Sequence, residues 1–460
     1  MPGLTAGRPG VRARAARLAA GHRWAAGPTL VSTLASGTAA ATTLVIARGA
    51  GAAAFGHFTL VLSIALIVTV GMLTSLNYVM FQELPRSAPA DRPALVTTAL
   101  LCTLVLGTGV LAAGAAAAPL IGPALGVDAR TLVFALALAL SMTLNQLAES
   151  FLRGLKRFRR VAWLKLAVAA GYLASAGYCL LVLGVRDAET YLVALIVTNL
   201  VFAAIAVAGL QVRPRAWSPA LARSLYRHGG YVTVIAAFTG VLFGVDVLFL
   251  NHWAGRADVG VYSLYNGFPK RLLGVVFTDG IGLVLLPMLA TAAKPRVMRR
   301  IARLVPAVAA GTAVFSFAAS TVFFLLMGGE YPYSLGLMAL SAAGIGAHTV
   351  FNLYSVALSM DGVPGARLLI ACLAAGTPVA LACQAACIAW GGLTGGLAGF
   401  ALTNVLLVAI VATATARAYR TPTAHPATRP GGPEPGAPRG PVRGESTRAR
   451  ARSAQNEHGA

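Results

Sequence analysis

Three charges lie within one apolar stretch, SLYNGFPKRLLGVVFTDGIGLVLLP, residues 263–287: Lys270, Arg271 and Asp279. Adjacent Lys and Arg side chains suit a phosphate, the guanidinium as a fork to two oxygens and the ammonium as a point charge. A fourth charge, Asp246, stands in the preceding apolar run, VLFGVDVLFLNHW. A charge at the centre of a bilayer costs about 2.5–3.5 kcal/mol even on a lenient scale, so such groups face protein or water. Two arrangements satisfy them. Either Lys270 and Arg271 meet an anionic ligand in a water-filled cleft, or Asp246–Lys270 and Arg271–Asp279 bridges tie the two runs together. A pair that opens when phosphate competes would do both.

The elements that carry these charges are membrane spans. The run with Lys270 begins near Val259; at about 1.5 Å per residue, Lys270 and Arg271 lie about 16–18 Å deep, near a bilayer midplane. Pro269 has no N–H and is expected to kink the helix and free the carbonyl of Tyr265. Arg271 and Asp279 are separated by about 80° around the helix and roughly share a face. Asp246, Asp279 and Glu149 are the acids placed to carry a proton or sodium ion. Glu149 also has Arg153 one turn on, an ordinary i,i+4 partner. His57 and His348 are read as hydrogen-bonded residues outside the site. Tyr262, Tyr265, Tyr331, Tyr333 and Trp253 are expected in an interfacial aromatic belt.

Composition sets the class. Of 460 residues, 57% are apolar and 11% charged, against about 25% charged in an ordinary soluble protein. Continuous apolar runs recur where a β-barrel would alternate with period two, so the chain reads as all-α and polytopic. Twelve spans are expected: 27–46, 58–81, 95–118, 130–151, 161–183, 191–210, 230–251, 259–287, 304–327, 332–360, 367–390 and 395–416. The net charge of +23 does not point to nucleic acid, because the basic residues lie between or beyond the runs. Thirty Lys and Arg fall in the even-numbered connections and termini, against four (Arg48, Arg130, Arg186 and Arg256) in the odd-numbered ones. The positive-inside rule then puts both termini in the cytoplasm and the chain in the cytoplasmic membrane. All five cysteines fall in apolar runs without zinc or disulfide spacing. No metal or cofactor is called for.

Two turns repeat. AGAAAFGHFTL (50–60) and AGRADVGVYSL (254–264) share Ala-Gly-x-Ala-x-x-Gly-x-aromatic-Ser/Thr-Leu at an offset of 204 residues. NQLAESFLRG (145–154) and NLYSVALSMDG (352–362) give a weaker echo. Six spans plus six, both halves starting on the same side, form a parallel repeat about an axis along the membrane normal. The expected organisation is a basic cytoplasmic N-terminus (1–26), an N-lobe (27–210), a cytoplasmic linker (211–229), a C-lobe (230–417) and a disordered cytoplasmic tail (418–460). The offset maps Lys270, Arg271, Asp279 and Asp246 onto Leu66, Ile67, Ser75 and Thr42, so the charge cluster belongs to the second half alone.

IARGAGAAAFGHFTL…GMLTSLNYVMFQ, FLRGLKRFRRVAW, DVLFLNHWAGRADVGVYSLYNGF…LLPMLA and MGGEYPYSLG, in this order and spacing, resemble Wzx-type lipid-linked oligosaccharide flippases. These belong to the multidrug/oligosaccharidyl-lipid/polysaccharide exporter superfamily. The resemblance implies two six-helix lobes of the MATE-like kind around a central cavity that opens alternately to either side. It also implies a polyprenyl-pyrophosphate-linked oligosaccharide as cargo, with membrane lipids and envelope polysaccharide-assembly proteins as partners. Where relatives often carry an Arg near the end of the second span, this chain has Asn77 and Tyr78, which leaves its first half short of cations.

The expected activity is therefore non-enzymatic flipping. Lys270, Arg271, Asp246 and Asp279 are its candidate substrate-binding residues, and Asp246, Asp279 and Glu149 its candidate ion-coupling acids. An ion-coupled exporter of drugs or amphipathic molecules is the nearest alternative, although adjacent midplane cations repel a cationic drug. A membrane polysaccharide polymerase or glycosyltransferase needs a cluster of acid, base or Arg in a sizeable loop, and the short external loops carry none. A scaffold would leave the midplane charges unexplained.

Overall fold

A computed structural model describes residues 11–275, 294–329, 331–359 and 361–419. Among these residues every long element is a helix, and ten helices have the length and hydropathy to cross a membrane. The first, α1 (Val11–Ala50), starts inside the expected basic segment, because VRARAARLAAGHRWAAG consists largely of good helix formers. Gly51, at φ 82°, turns the chain into α2 (Ala52–Leu73).

The second span departs from expectation. Its helix begins at Ala52 and stops at Leu73, where Thr74 and Ser75 both take left-handed backbone (φ 45° and 56°). The short α3 (Leu76–Glu83) follows and buries Leu76, Val79 and Met80. Gly154, at the end of a later helix, makes room for it: a Cβ there would meet the Met80 carbonyl at 2.9 Å.

Caps fix several other starts. After α4 (Arg92–Ala124), the Asp128 carboxylate accepts the Thr131 N–H at 2.6 Å and opens α5 (Ala129–Gly154). Next comes α6 (Phe158–Leu181). Asp187 accepts the Thr190 N–H at 2.9 Å and opens α7 (Ala188–Ala208). Ser218 does the same, with Pro219 at the first helical position, for α8 (Pro219–Trp253), which therefore begins inside the expected linker.

The eighth expected span is described to Val275 as α9 (Arg256–Tyr262), one π-helical turn (Ser263–Gly267) and α10 (Phe268–Val275). Then come α11 (Lys294–Leu326), α12 (Leu335–Ser359) and α13 (Gly362–Ala418). The last has 57 residues, about 86 Å if straight. It is two spans joined at Gly392, whose φ of 51° and ψ of −126° are not helical. The chain doubles back there: a Cβ on Gly395 would sit 1.8 Å from the Cys387 carbonyl, and the Thr403 hydroxyl donates to the Ala380 carbonyl. These two limbs match expected spans 367–390 and 395–416. The expected tail lies outside the described residues beyond Tyr419.

Lipid gives helices no hydrophobic reason to associate, so packing through small residues has to hold them. Gly244 of α8 seats against Ile67 of α2, and Gly346 of α12 lies against the Ala309 carbonyl of α11. Large side chains such as Leu181, Trp163 and Val105 stay on the outer surface, where hydrocarbon replaces water. The two repeated turns share one backbone conformation: Gly51 (φ 82°, ψ 167°) and Gly255 (φ 98°, ψ 173°) each precede a helix without a side-chain cap.

A buried charge network in the second half

Pro269 sets the local geometry. Its missing N–H leaves the Tyr265 carbonyl without its intrahelical donor. The chain widens Ser263–Gly267 into a π-helical turn, a feature that recurs at functional sites, and the Ser341 hydroxyl of α12 donates to Tyr265 O at 2.6 Å. The kink read from the sequence thus appears as a change of helical pitch with an outside donor.

Beyond this turn Lys270 faces α8. Its Nζ lies 3.9 Å from Asp246 Oδ2 and 3.7 Å from the centroid of the Phe400 ring in α13. Asp246 is 1% exposed. Its Oδ1 accepts the Val247 N–H at 2.9 Å, and its Oδ2 accepts the Tyr262 hydroxyl at 2.5 Å. The Tyr262 oxygen in turn accepts the Asn266 side-chain amide at 2.5 Å. Behind Phe400, Asn404 donates to the Phe400 carbonyl and lies 3.1 Å from His348 Nδ1, and the His348 ring meets Phe243 edge-on. Gly344 leaves room for the Phe400 ring, since a Cβ there would approach it to 2.8 Å.

One cation therefore sits between a carboxylate and an aromatic face, two sources of negative potential that compensate it in a dry setting. The Lys270 side chain retains 18% of its exposure. Every identified partner comes from the second half of the chain, which is the pairing the sequence offered as the alternative to a cleft-facing cation. The Arg271 side chain and all of Asp279 lie outside the described residues, so the Arg271–Asp279 pair does too.

Glu149 stands apart from this network. Its Oε1 is 2.6 Å from Arg153, as the i,i+4 spacing suggested, and 2.7 Å from Lys165 of α6. The second contact was readable: Glu149 and Lys165 are equally distant from Arg157 in the tight α5–α6 turn. Asn145, beside Glu149, donates to Asn199 of α7 at 2.9 Å.

The aromatic belt needs correction. Tyr262, Tyr265 and Tyr331 are buried, at 2%, 0% and 3% exposure. Tyr262 turns inward because Gly396 leaves a slot for its ring, with a Cβ there only 3.3 Å from the ring. Trp253 and Tyr333 are exposed, as a belt requires. His57 pairs with the Thr131 hydroxyl at 3.0 Å. Among the described residues, no three His, Cys, Asp or Glu side chains gather to hold a metal ion.

The family and the fold both have known counterparts. A family model described as "Polysaccharide biosynthesis protein" matches residues 27–292. No curated protein sequence matches the chain. Several solved structures share the fold. One is described as the inward-facing conformation of a multidrug resistance MATE family transporter of the MOP superfamily, with TM-score 0.57 and 14% identity over 85% of this chain and 94% of that one. Another is a MOP superfamily transporter from Pyrococcus furiosus described as having a binding pocket of reverse polarity, with TM-score 0.54 and 13% identity over 85% and 94%. A third, an outward-facing MATE family transporter, has TM-score 0.52 and 13% identity over the same shares.

Proposed function

Because the chain belongs to the polysaccharide biosynthesis protein family and has the fold of MOP superfamily transporters, we propose that this membrane transporter flips a polyprenyl-pyrophosphate-linked oligosaccharide. It acts across the cytoplasmic membrane, with both termini in the cytoplasm. Segments 27–210 and 230–417 move as two lobes about a central cavity, with 211–229 as their cytoplasmic connection. The sugar and pyrophosphate cross between the lobes while the polyprenyl chain stays in lipid. The product feeds cell-surface polysaccharide assembly, and envelope polysaccharide-assembly proteins are its partners.

The observation that carries this reading is the family match, which spans more than half of the chain. The charge network supports it. A Lys270 ammonium held 3.9 Å from Asp246 is a loose pair, and a pyrophosphate oxygen competes for such a cation with charge-assisted hydrogen bonds. Arg271, next in sequence, and Asp279 complete the proposed cargo contact. Asp246 is then the acid freed to take up a coupling ion as Lys270 turns to phosphate.

The test is reconstitution with a fluorescent polyprenyl-pyrophosphate oligosaccharide, comparing the native protein with Lys270→Ala plus Arg271→Ala. A folded double variant is expected to lose at least tenfold in flipping rate. Native flipping by that variant would reject the phosphate contact. A second reading, ion-coupled export of amphipathic drugs, draws on the multidrug transporters among the structural neighbours; ethidium export without lipid movement would favour it.

A further inference from the structure

The repeated turns carry a second shared glycine, Gly56 in the first and Gly260 in the second, again 204 residues apart. Both are buried, one turn into α2 and α9. A Cβ on Gly56 would lie 1.7 Å from the Arg256 carbonyl oxygen, and a Cβ on Gly260 would lie 2.2 Å from the Ala52 carbonyl oxygen. In each case the obstacle is the residue four positions before the other glycine. The contact is thus reciprocal, and each half presents the same surface to the other. Its atoms are backbone on both sides, so no rotamer change would relieve an added side chain.

Four polar contacts surround this crossing, and each joins the first half of the chain to the second. Arg256 Nη2 lies 3.5 Å from Asp128 Oδ2. Asn251 donates its amide to the Gly126 carbonyl at 3.0 Å, Arg48 donates to the Leu326 carbonyl at 3.4 Å, and the Tyr331 hydroxyl donates to the Ala47 carbonyl at 2.6 Å. All lie at the end of the bundle marked by Gly51 and Gly255. The Arg256, Asn251 and Arg48 contacts are exposed, so water can replace their partners, whereas the Tyr331–Ala47 bond is buried.

We propose that Gly56 and Gly260 form a two-fold seal that closes the path between the halves at this end and must part each time the transporter opens there. The proposal rests on the alternating-access reading above. The physical reason for glycine is reversibility. Bare backbones meet closely enough to exclude water, through weak Cα–H···O contacts rather than interlocked side chains. The halves can separate without repacking a core. This also explains why the duplicated motif keeps that glycine while its neighbours differ.

Thr59 provides a reporter. It lies three residues beyond Gly56, so on the same face, and it is 6% exposed with no hydrogen-bond partner for its hydroxyl among the described residues. In a background with the five native cysteines replaced by Ser, Thr59→Cys is treated with a membrane-impermeant maleimide on intact cells and on inverted vesicles. The parent is expected to be protected. Adding Gly56→Ala is expected to raise the labelling rate at least tenfold from the side that bears Gly51. Gly260→Ala should do the same, whereas Gly71→Ala, where an added Cβ meets no atom within 4 Å, should not. Parent-like labelling in an inserted Gly56→Ala protein would overturn the proposal.

Should the alanine variants fail to insert, nitroxides at Ala53 and Ala257 leave both glycines intact. These positions are exposed and occupy equivalent places beside the crossing. A longer distance population during turnover supports the seal, and one unchanged distance rejects it. Flipping is assayed on the Thr59→Cys parent. A parent that does not flip lipid counts against the transport reading, while labelling reports the seal separately.

Discussion

Asp246 of α8 holds Lys270 of α10 at 3.9 Å with the same oxygen that takes the Tyr262 hydroxyl at 2.5 Å. The carboxylate is thereby shared between a neutral donor that grips it tightly and a cation that sits loosely. Such an arrangement stays put when the cation leaves, because Tyr262 and the Val247 N–H still satisfy the acid. The same three groups can therefore act as a structural tie at rest and as an exchangeable charge during transport.

The pair should show its compensation in stability. Asp246→Asn leaves the ammonium with the Phe400 ring as its remaining partner among the described residues, and is expected to cost about 3–5 kcal/mol. Asp246→Asn combined with Lys270→Met removes both charges and should recover most of that loss. Thermal unfolding in detergent, run as a double-mutant cycle, measures the difference. Equal losses in the single and double variants would mean that the two charges do not compensate one another.

Much of this was legible beforehand, for physical reasons. Apolar runs report spans because a bilayer permits no unsatisfied backbone, and a charge inside such a run must have a partner, which led to Asp246–Lys270 and Glu149–Arg153. The proline rule singled out the Tyr265 carbonyl. The break after Leu73 was not legible: Thr74 and Ser75 adopt left-handed backbone without the glycine that usually announces it. Nor was the inward turn of Tyr262, since it depends on the empty slot at Gly396 more than 130 residues away. Phe400 and Asn404 were missed for the same reason, because nothing local says which distant helix covers a charge, whereas His348 is hydrogen-bonded, as read.

The Tyr265 carbonyl offers a test of proline's effect. Ser341→Ala removes the donor that replaced the missing Pro269 N–H, and a buried carbonyl left unpaired costs about 1–3 kcal/mol. Pro269→Ala supplies an N–H of its own, so in that background the Ser341→Ala penalty should shrink by at least about 0.5 kcal/mol, the scale of coupling between residues in contact. Thermal unfolding of the four proteins in the cycle checks it. Strict additivity would show that Ser341 does not answer the proline.

Two acids can be separated as carriers of a coupling ion. Glu149 is held by Arg153 and Lys165 together, whereas among the described residues Asp246 has one loosely placed cation. Glu149→Gln is expected to leave the dependence of flipping on an imposed ion gradient intact. Asp246→Asn is expected to abolish that dependence. Vesicles with a defined proton or sodium gradient read both, and the opposite pattern would transfer the coupling role to Glu149.

The seal carries its own pH signature through Asp128, which lies in the loop before α5. The Thr131 N–H lowers its pKa below the ordinary carboxylate value, helped by the Thr131 hydroxyl, against an opposing effect of burial and with lesser help from the charges of Arg256 and His57. A depressed folded-state pKa contributes stability above the unfolded value of about 3.9 that is lost as pH falls through the folded one. Asp128 is largely exposed, so the ion pair is weak, worth up to about 1 kcal/mol. The glycine crossing, not the ion pair, is then the main barrier. Protection of Thr59→Cys, measured relative to a free thiol at the same pH, should be flat between about pH 7 and 8, above the ordinary histidine value of about 6.5. Asp128→Asn should raise labelling only a few-fold, well short of Gly56→Ala. If Asp128→Asn matched Gly56→Ala, the polar latch rather than the backbone contact would hold this end closed.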